Sequence, residues 1–202
     1  MKRGFLARWV LTVTVAETLG FAVPTVLGIT LAQAGAAGTV LYAGAVVAGA
    51  GEGALLGLGQ WIGFGPVRPV PRGPWVTATA IGAALAWSIG GLLFLLEDIS
   101  WGSWLTRVGA VLSGLVLLAA IPTLQWLVLR RAVRRCAWWI PATMGAWALA
   151  LPWTLAPSPV VDETTPAAVL IGVYTAGGLL MAITVALFTG LAAQRLVRGL
   201  SP

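Results

Sequence analysis

Apolar residues do not alternate along this chain; they run. Six stretches, at roughly 9–32, 39–62, 75–96, 104–129, 138–157 and 167–194, pass with scarcely a charge between their ends. A helix rising 1.5 Å per residue needs about 20 apolar residues to cross a ~30 Å hydrocarbon core. The pattern therefore predicts an all-α polytopic membrane protein with six transmembrane helices. Connections are short. Residues 33–38 carry no charge, and residues 65–74 form a proline- and glycine-rich stop and restart.

The charges give the runs an orientation. Lys2, Arg3 and Arg8 precede the first run, and Arg68 and Arg72 follow the second. Arg130, Arg131, Arg134 and Arg135 follow the fourth; Arg195 and Arg198 follow the sixth. If every run crosses, all of these fall on one side, and Arg107 is the exception among the 12 basic residues. The other side receives Glu97 and Asp98, beside which Arg107 is expected to pair, and Asp162 and Glu163. The excess of Lys and Arg marks the cytoplasmic side. The expectation is a single domain, 1–202, in the inner (plasma) membrane, with both termini cytoplasmic. Met1-Lys2-Arg3, the apolar run and Ala32-Gln33-Ala34 imitate a signal peptide, but signal h-regions run about 7–15 residues. This run is longer and contains Glu17, so it is read as a helix.

Composition agrees with lipid as the solvent. Apolar residues make up 59% and charged residues 9% of the 202, against about 25% charged in a soluble domain. The net charge of +6 sits between apolar runs, where topology accounts for it and nucleic acid does not. Four arginines, Arg130, Arg131, Arg134 and Arg135, are a candidate contact for anionic lipid headgroups. One cysteine, Cys136, allows no internal disulfide, and no histidine is present. The commonest metal ligand and the usual general base are thus missing. No cofactor, metal site or catalytic constellation is expected, and the chain is read as a non-enzyme.

A repeat emerges when the basic ends are compared. Gly59-Gln60-Trp61-Ile62, Leu124-Gln125-Trp126-Leu127-Val128-Leu129-Arg130 and Ala193-Gln194-Arg195-Leu196-Val197-Arg198 each place a glutamine at a run's end. Arg8-Trp9-Val10, Pro74-Trp75-Val76 and Trp138-Trp139-Ile140 begin the alternate runs. These are read as three two-helix hairpins, roughly 1–66, 67–135 and 136–202, in pseudo-threefold array. The other account is an aromatic and basic belt at the membrane interface, which explains Trp and Arg but not a glutamine at matching depth. Gln125-Trp126-Leu127-Val128-Leu129-Arg130-Arg131 followed by Trp138-Trp139 resembles a group of small multi-pass bacterial membrane proteins. They carry repeated Gln-Trp-Leu-Val-Leu-Arg segments, each with a basic loop and a Trp-Trp helix start. The likeness covers runs two to five and, weakly, the C-terminus. It departs at Gln60-Trp61-Ile62-Gly63-Phe64, which has no arginine pair. It implies fold and membrane location and no activity.

Two acids interrupt the apolar runs, Glu17 and Glu52. Glu17 lies nine residues past Arg8 and Glu52 eight before Gln60, ~13 Å and ~12 Å along their helices. Both are expected near mid-bilayer in one hairpin, where a charge costs ~2.5–3.5 kcal/mol on insertion scales and must face protein or water. Two readings stand. The pair is a proton- or cation-handling site, sharing a proton or holding a cation; or each is a protonated structural acid bonded to neighbours such as Thr14, Thr18 or Tyr42. Gly49, Gly53 and Gly57 recur every fourth residue, spacing that admits a close helix neighbour, so the second helix is expected to be central. Pro24, Pro122 and Pro152 are candidate kinks. Two functions follow. One is a small carrier or channel for a proton or cationic solute acting through Glu17 and Glu52. The other is a non-catalytic membrane component or partner subunit of a larger assembly, including a substrate-binding subunit of an importer.

Overall fold

The computed structural model describes residues 4–95, 102–162 and 164–199. Lys2, Arg3, Glu97, Asp98 and Glu163, used above for orientation, lie outside the described residues. All regular structure among those described is helical: α1 (Phe5–Gln33), α2 (Gly38–Phe64), α3 (Arg72–Leu95), α4 (Trp104–Leu129), α5 (Trp139–Ala150), α6 (Pro152–Leu155) and α7 (Ala167–Arg198), with two single 3-10 turns. Five helices, α1 to α4 and α7, are long and apolar enough to cross a membrane. Leu11, Val15, Leu19 and Val23 form an exposed stripe on α1, and Leu105, Val108, Leu112 and Leu115 another on α4. Such continuous outward apolar faces fit a bilayer.

The fifth run differs from the expected unbroken helix. It divides at Leu151, where Pro152 has no N–H to continue the ladder. The Leu151 amide still reaches the Trp147 carbonyl at 2.9 Å, and Thr154 N–H then turns back to the Leu151 carbonyl at 3.0 Å. Pro24 and Pro122, by contrast, sit inside unbroken helices. The difference is length: after Pro152 only a single turn remains before Pro157 and Pro159, too short to hold the register by further bonds.

The helices form a ring. Each packs on its chain neighbour, and α7 packs on α5, α6 and α1 to close the circle. α2 is one member of this ring, between α1 and α3, and not its hub. Glycines set both of its contacts. A side chain at Gly53 would overlap the Ala83 methyl and lie 2.8 Å from the Thr79 carbonyl of α3. Gly49 faces the Trp87 ring and Gly57 faces Thr79 and Val76. On the other face, Gly59 and Gly63 meet Thr12, Ala16 and Trp9 of α1. The 49/53/57 stripe thus fixes α2 against α3, and a second stripe fixes it against α1.

Candidate functional site

One end of the ring is solid. Trp9, Phe64, Trp75, Leu129, Trp139 and Thr189 are each 0% exposed, and together they bring one residue from every wall of the ring. The aromatic rings touch in series, with centroids 4.8 Å apart for Trp9 and Phe64, 5.8 Å for Phe64 and Trp75, and 6.0 Å for Trp75 and Trp139. One helical turn further in, the same helices contribute Val13, Gln60, Thr79, Gln125, Thr143 and Val185, none more than 1% exposed. These two layers close the ring.

Several polar groups inside the closure bond between helices, while Trp75 Nε1 and Thr143 Oγ1 are buried there without a partner. The Gln125 amide donates to Gln60 Oε1 at 2.7 Å and to Thr79 Oγ1 at 3.0 Å, and it accepts from Trp139 Nε1 at 3.0 Å. Trp9 Nε1 donates to Thr189 Oγ1 at 3.2 Å. Gln60 and Gln125 are therefore brought together, whereas Gln194 is half-buried and takes no part in their bond. On α7 the fully buried position at that level is Val185, nine residues before Gln194. Trp61 and Trp126 are half-buried at the edge of this core beneath arginines: the Arg68 guanidinium lies 3.9 Å from the Trp61 ring and Arg130 lies 5.0 Å from Trp126. The tryptophans divide accordingly, with Trp61 and Trp126 fitting an interfacial belt and Trp9, Trp75 and Trp139 forming the interior. Cys136, beside this end, is buried, and burial pushes its thiol pKa up.

One more turn along, at Glu17, Leu56, Ala83, Ile121, Trp147 and Met181, the ring opens. These residues floor a cavity of about 510 Å³. Its walls climb past Phe21, Tyr42, Trp87 and Gly91 to Gly38, an exposed residue at the start of α2. The walls are apolar and aromatic; no basic side chain lines them.

Glu17 and Glu52 meet at the floor. Gly20 makes this possible, since its missing side chain leaves room for the Glu52 backbone, whose Cα would be 3.1 Å from an added Cβ. Glu52 Oε2 accepts a 2.8 Å hydrogen bond from Trp87 Nε1 of α3. The Glu17 carboxyl lies beside that of Glu52, is 0% exposed, and receives no N–H or O–H from any other side chain. A bond between the two acids requires a proton on one of them. The neighbours anticipated for the acids differ from those found. Thr14 Oγ1 and Thr18 Oγ1 are buried without a partner, Tyr42 stands in the cavity wall, and Trp87 is the residue that sequence reasoning missed. A signal existed: α2 and α3 are antiparallel around the 65–71 connection, and Trp87 is a large donor near the position of α3 that faces Glu52. No cluster of three metal-ligating side chains occurs among the described residues.

Apart from Arg107, in the first turn of α4 at the other end, the described basic residues gather at the closed end. Arg8 Nε donates to the Gly63 carbonyl at 3.0 Å, tying the start of α1 to the end of α2. Arg134 and Arg195 line a shallow surface pocket with Trp138 and Leu196. Compared with protein families, with curated proteins and with solved structures, the chain matches none.

Proposed function

We propose that this chain is a small membrane carrier handling a proton or a cationic solute through Glu17 and Glu52. One observation carries the reading: two buried acids without a basic partner sit at the floor of a cavity that is closed on one side and open on the other. Intramembrane acids are costly and ordinarily face a functional cavity. A continuous channel would need a passage through the tryptophan and glutamine layers, so a carrier exposing the pair to one side at a time fits better.

In the proposed topology the bundle crosses the inner membrane six times as three hairpins. The crossing beyond the five long helices, fifth in chain order, is the broken α5–α6 pair. It runs beside α7 from about Leu196 to Gly177, which lies against the Trp153 carbonyl, a span of ~28 Å against a core of ~30 Å. Both termini are then cytoplasmic, and the closed end with its arginines faces the cytoplasm. The basic segment Arg130–Arg135 adjoins anionic headgroups there. The resemblance to small bacterial membrane proteins supports the same location.

A partner-subunit role is the second reading, and α4 favours it. None of residues 104–116 is buried, so the first half of this helix is free to face either lipid or another protein.

Flux measured in proteoliposomes separates the readings. The unaltered protein is expected to move protons or cations down an imposed gradient, and Glu17→Gln with Glu52→Gln together are expected to abolish it. Absence of flux in the unaltered protein rejects the carrier; flux surviving the double substitution rejects the site.

A further inference from the structure

We propose that the cavity binds organic monocations with an apolar body, such as aryl-bearing quaternary ammonium ions, with the charge seated on the Glu17–Glu52 pair. The inference rests on the reading of that pair given above and adds the class of solute.

The cavity has one polar end. Glu17 and Glu52 stand at the floor, Glu17 with both carboxyl oxygens buried and unpartnered, and above them rise Phe21, Tyr42, Trp87 and Trp147 with aliphatic neighbours. An inorganic cation stripped of water calls for about six or more oxygens, and walls of this kind do not furnish them. An anion would meet two acids. A neutral apolar molecule would fill the walls but leave the buried Glu17 carboxyl without a partner, an arrangement that carries a desolvation cost. An organic cation satisfies both ends at once. Its charge meets the acids, and its body meets aromatic faces that attract cations and exclude water. The volume of about 510 Å³ lies within the ~300–1,000 Å³ common to small-molecule sites. The two closed layers beneath the floor leave the Gly38 end as the way in.

Trp87 has a defined place in this site. Its indole N–H is committed to Glu52, which holds the carboxyl and turns the ring toward the cavity. It is a positioning residue whose ring also forms wall.

The test uses the full chain in nanodiscs of zwitterionic lipid, titrated calorimetrically with benzyltriethylammonium. Tetramethylammonium supplies the charge without the body, and benzyl alcohol the body without the charge. The aryl cation is expected to bind one-to-one and at least about tenfold more tightly than either. Glu17→Gln with Glu52→Gln is expected to remove that binding. Ala86→Phe keeps both acids and fills the wall, and is expected to weaken binding by about tenfold or more, with thermal melting confirming that the variant is folded. Equal affinity for tetramethylammonium or sodium overturns the inference, as does unchanged binding in either variant. Pair-dependent proton flux without any binding of the aryl cation overturns the solute class alone. Absence of both flux and binding overturns the carrier reading with it.

Discussion

At the closed end, side chains from different helices bond one another: Gln125 with Gln60, Thr79 and Trp139, and Trp9 with Thr189. Toward the other end, polar groups mostly bond within their own helix or loop. Thr25, Thr30 and Ser88 each return to the carbonyl four residues earlier, Asp162 bonds Thr164 and Thr165, and the exposed Ser158 and Tyr174 hydroxyls meet at 3.3 Å. The Trp87–Glu52 bond, which does cross between helices, lies on the boundary. The same helices therefore build a cross-linked half and a loosely joined half, with the acids where one gives way to the other. In lipid, helices gain little from burying apolar surface against each other, so close contact and interhelical hydrogen bonds decide where a bundle is tight. In the carrier proposed above, the first region would hold the fold and the second would rearrange.

The comparison breaks most directly at Gln125. Gln125→Leu keeps the volume roughly but leaves Gln60 Oε1 and Trp139 Nε1 without their partner inside a layer closed to water. Two unsatisfied buried groups cost about 1–3 kcal/mol each, so a loss of roughly 2–6 kcal/mol is expected in unfolding from mixed micelles. Glu17→Gln, in the open half, is expected to change stability by less than about 1 kcal/mol, because it removes no bond that the folded chain makes to a donor. Equal losses for the two variants would erase the distinction between the halves.

The glycines of α2 give a smaller and more local contrast. Gly53→Ala drives a methyl into Ala83 and toward the Thr79 backbone, which must move α2 from α3. Overpacking of this kind is expected to cost about 1–3 kcal/mol. Gly51 has nothing within 4 Å of an added Cβ, so Gly51→Ala is expected to be neutral or to stabilise by up to about 1 kcal/mol through helix propensity. Paired melts of the two variants check this, and a reversed order would show that the close α2–α3 approach does not hold the bundle.

Legibility in the sequence followed the same divide. Five of the six apolar runs became long helices because length and apolarity are local properties. The fifth run broke at Pro152, a residue visible in the sequence, yet identical chemistry at Pro24 and Pro122 left helices whole; the outcome depended on how much helix followed. Glu17 and Glu52 could be placed at one depth because a tight hairpin mirrors its two arms. That argument stops at the hairpin, which is why Trp87, on the third helix, went unseen. Gln60, Gln125 and Gln194 look equivalent by spacing, but α7 presents Val185 at the level where α2 and α4 present glutamine. A repeat in sequence fixes neither the length by which a helix overshoots nor the turn that enters the core. The fully buried Trp9, Trp75 and Trp139 share their sequence context with interfacial tryptophans, and only the closing of the ring separates them.

The smallest expected effect sharpens the comparison from the open side. Asp162, in the connection before α7, accepts from the Thr164 hydroxyl at 2.7 Å, the Thr164 amide at 2.9 Å and the Thr165 hydroxyl at 3.1 Å. These donors favour the ionised form and hold its carboxyl below the ordinary aspartate value, which is about 3.9. The group is fully exposed, so the consequence belongs to the turn and not to the bundle. Because the folded pKa is depressed, the turn is supported at every pH above the unfolded value and loses that support as pH falls through the folded one. Nuclear magnetic resonance of the Thr164 amide is expected to titrate below the usual aspartate range, and Asp162→Asn is expected to abolish the titration. Over the same acid range, the indole signals of Trp9 and Trp139 are expected to stay fixed, since their acceptors are a threonine and a glutamine that do not ionise. If those indoles shifted together with Thr164, the loop and the closed end would be coupled across the whole bundle, and the division into a rigid half and a yielding half would have to be redrawn.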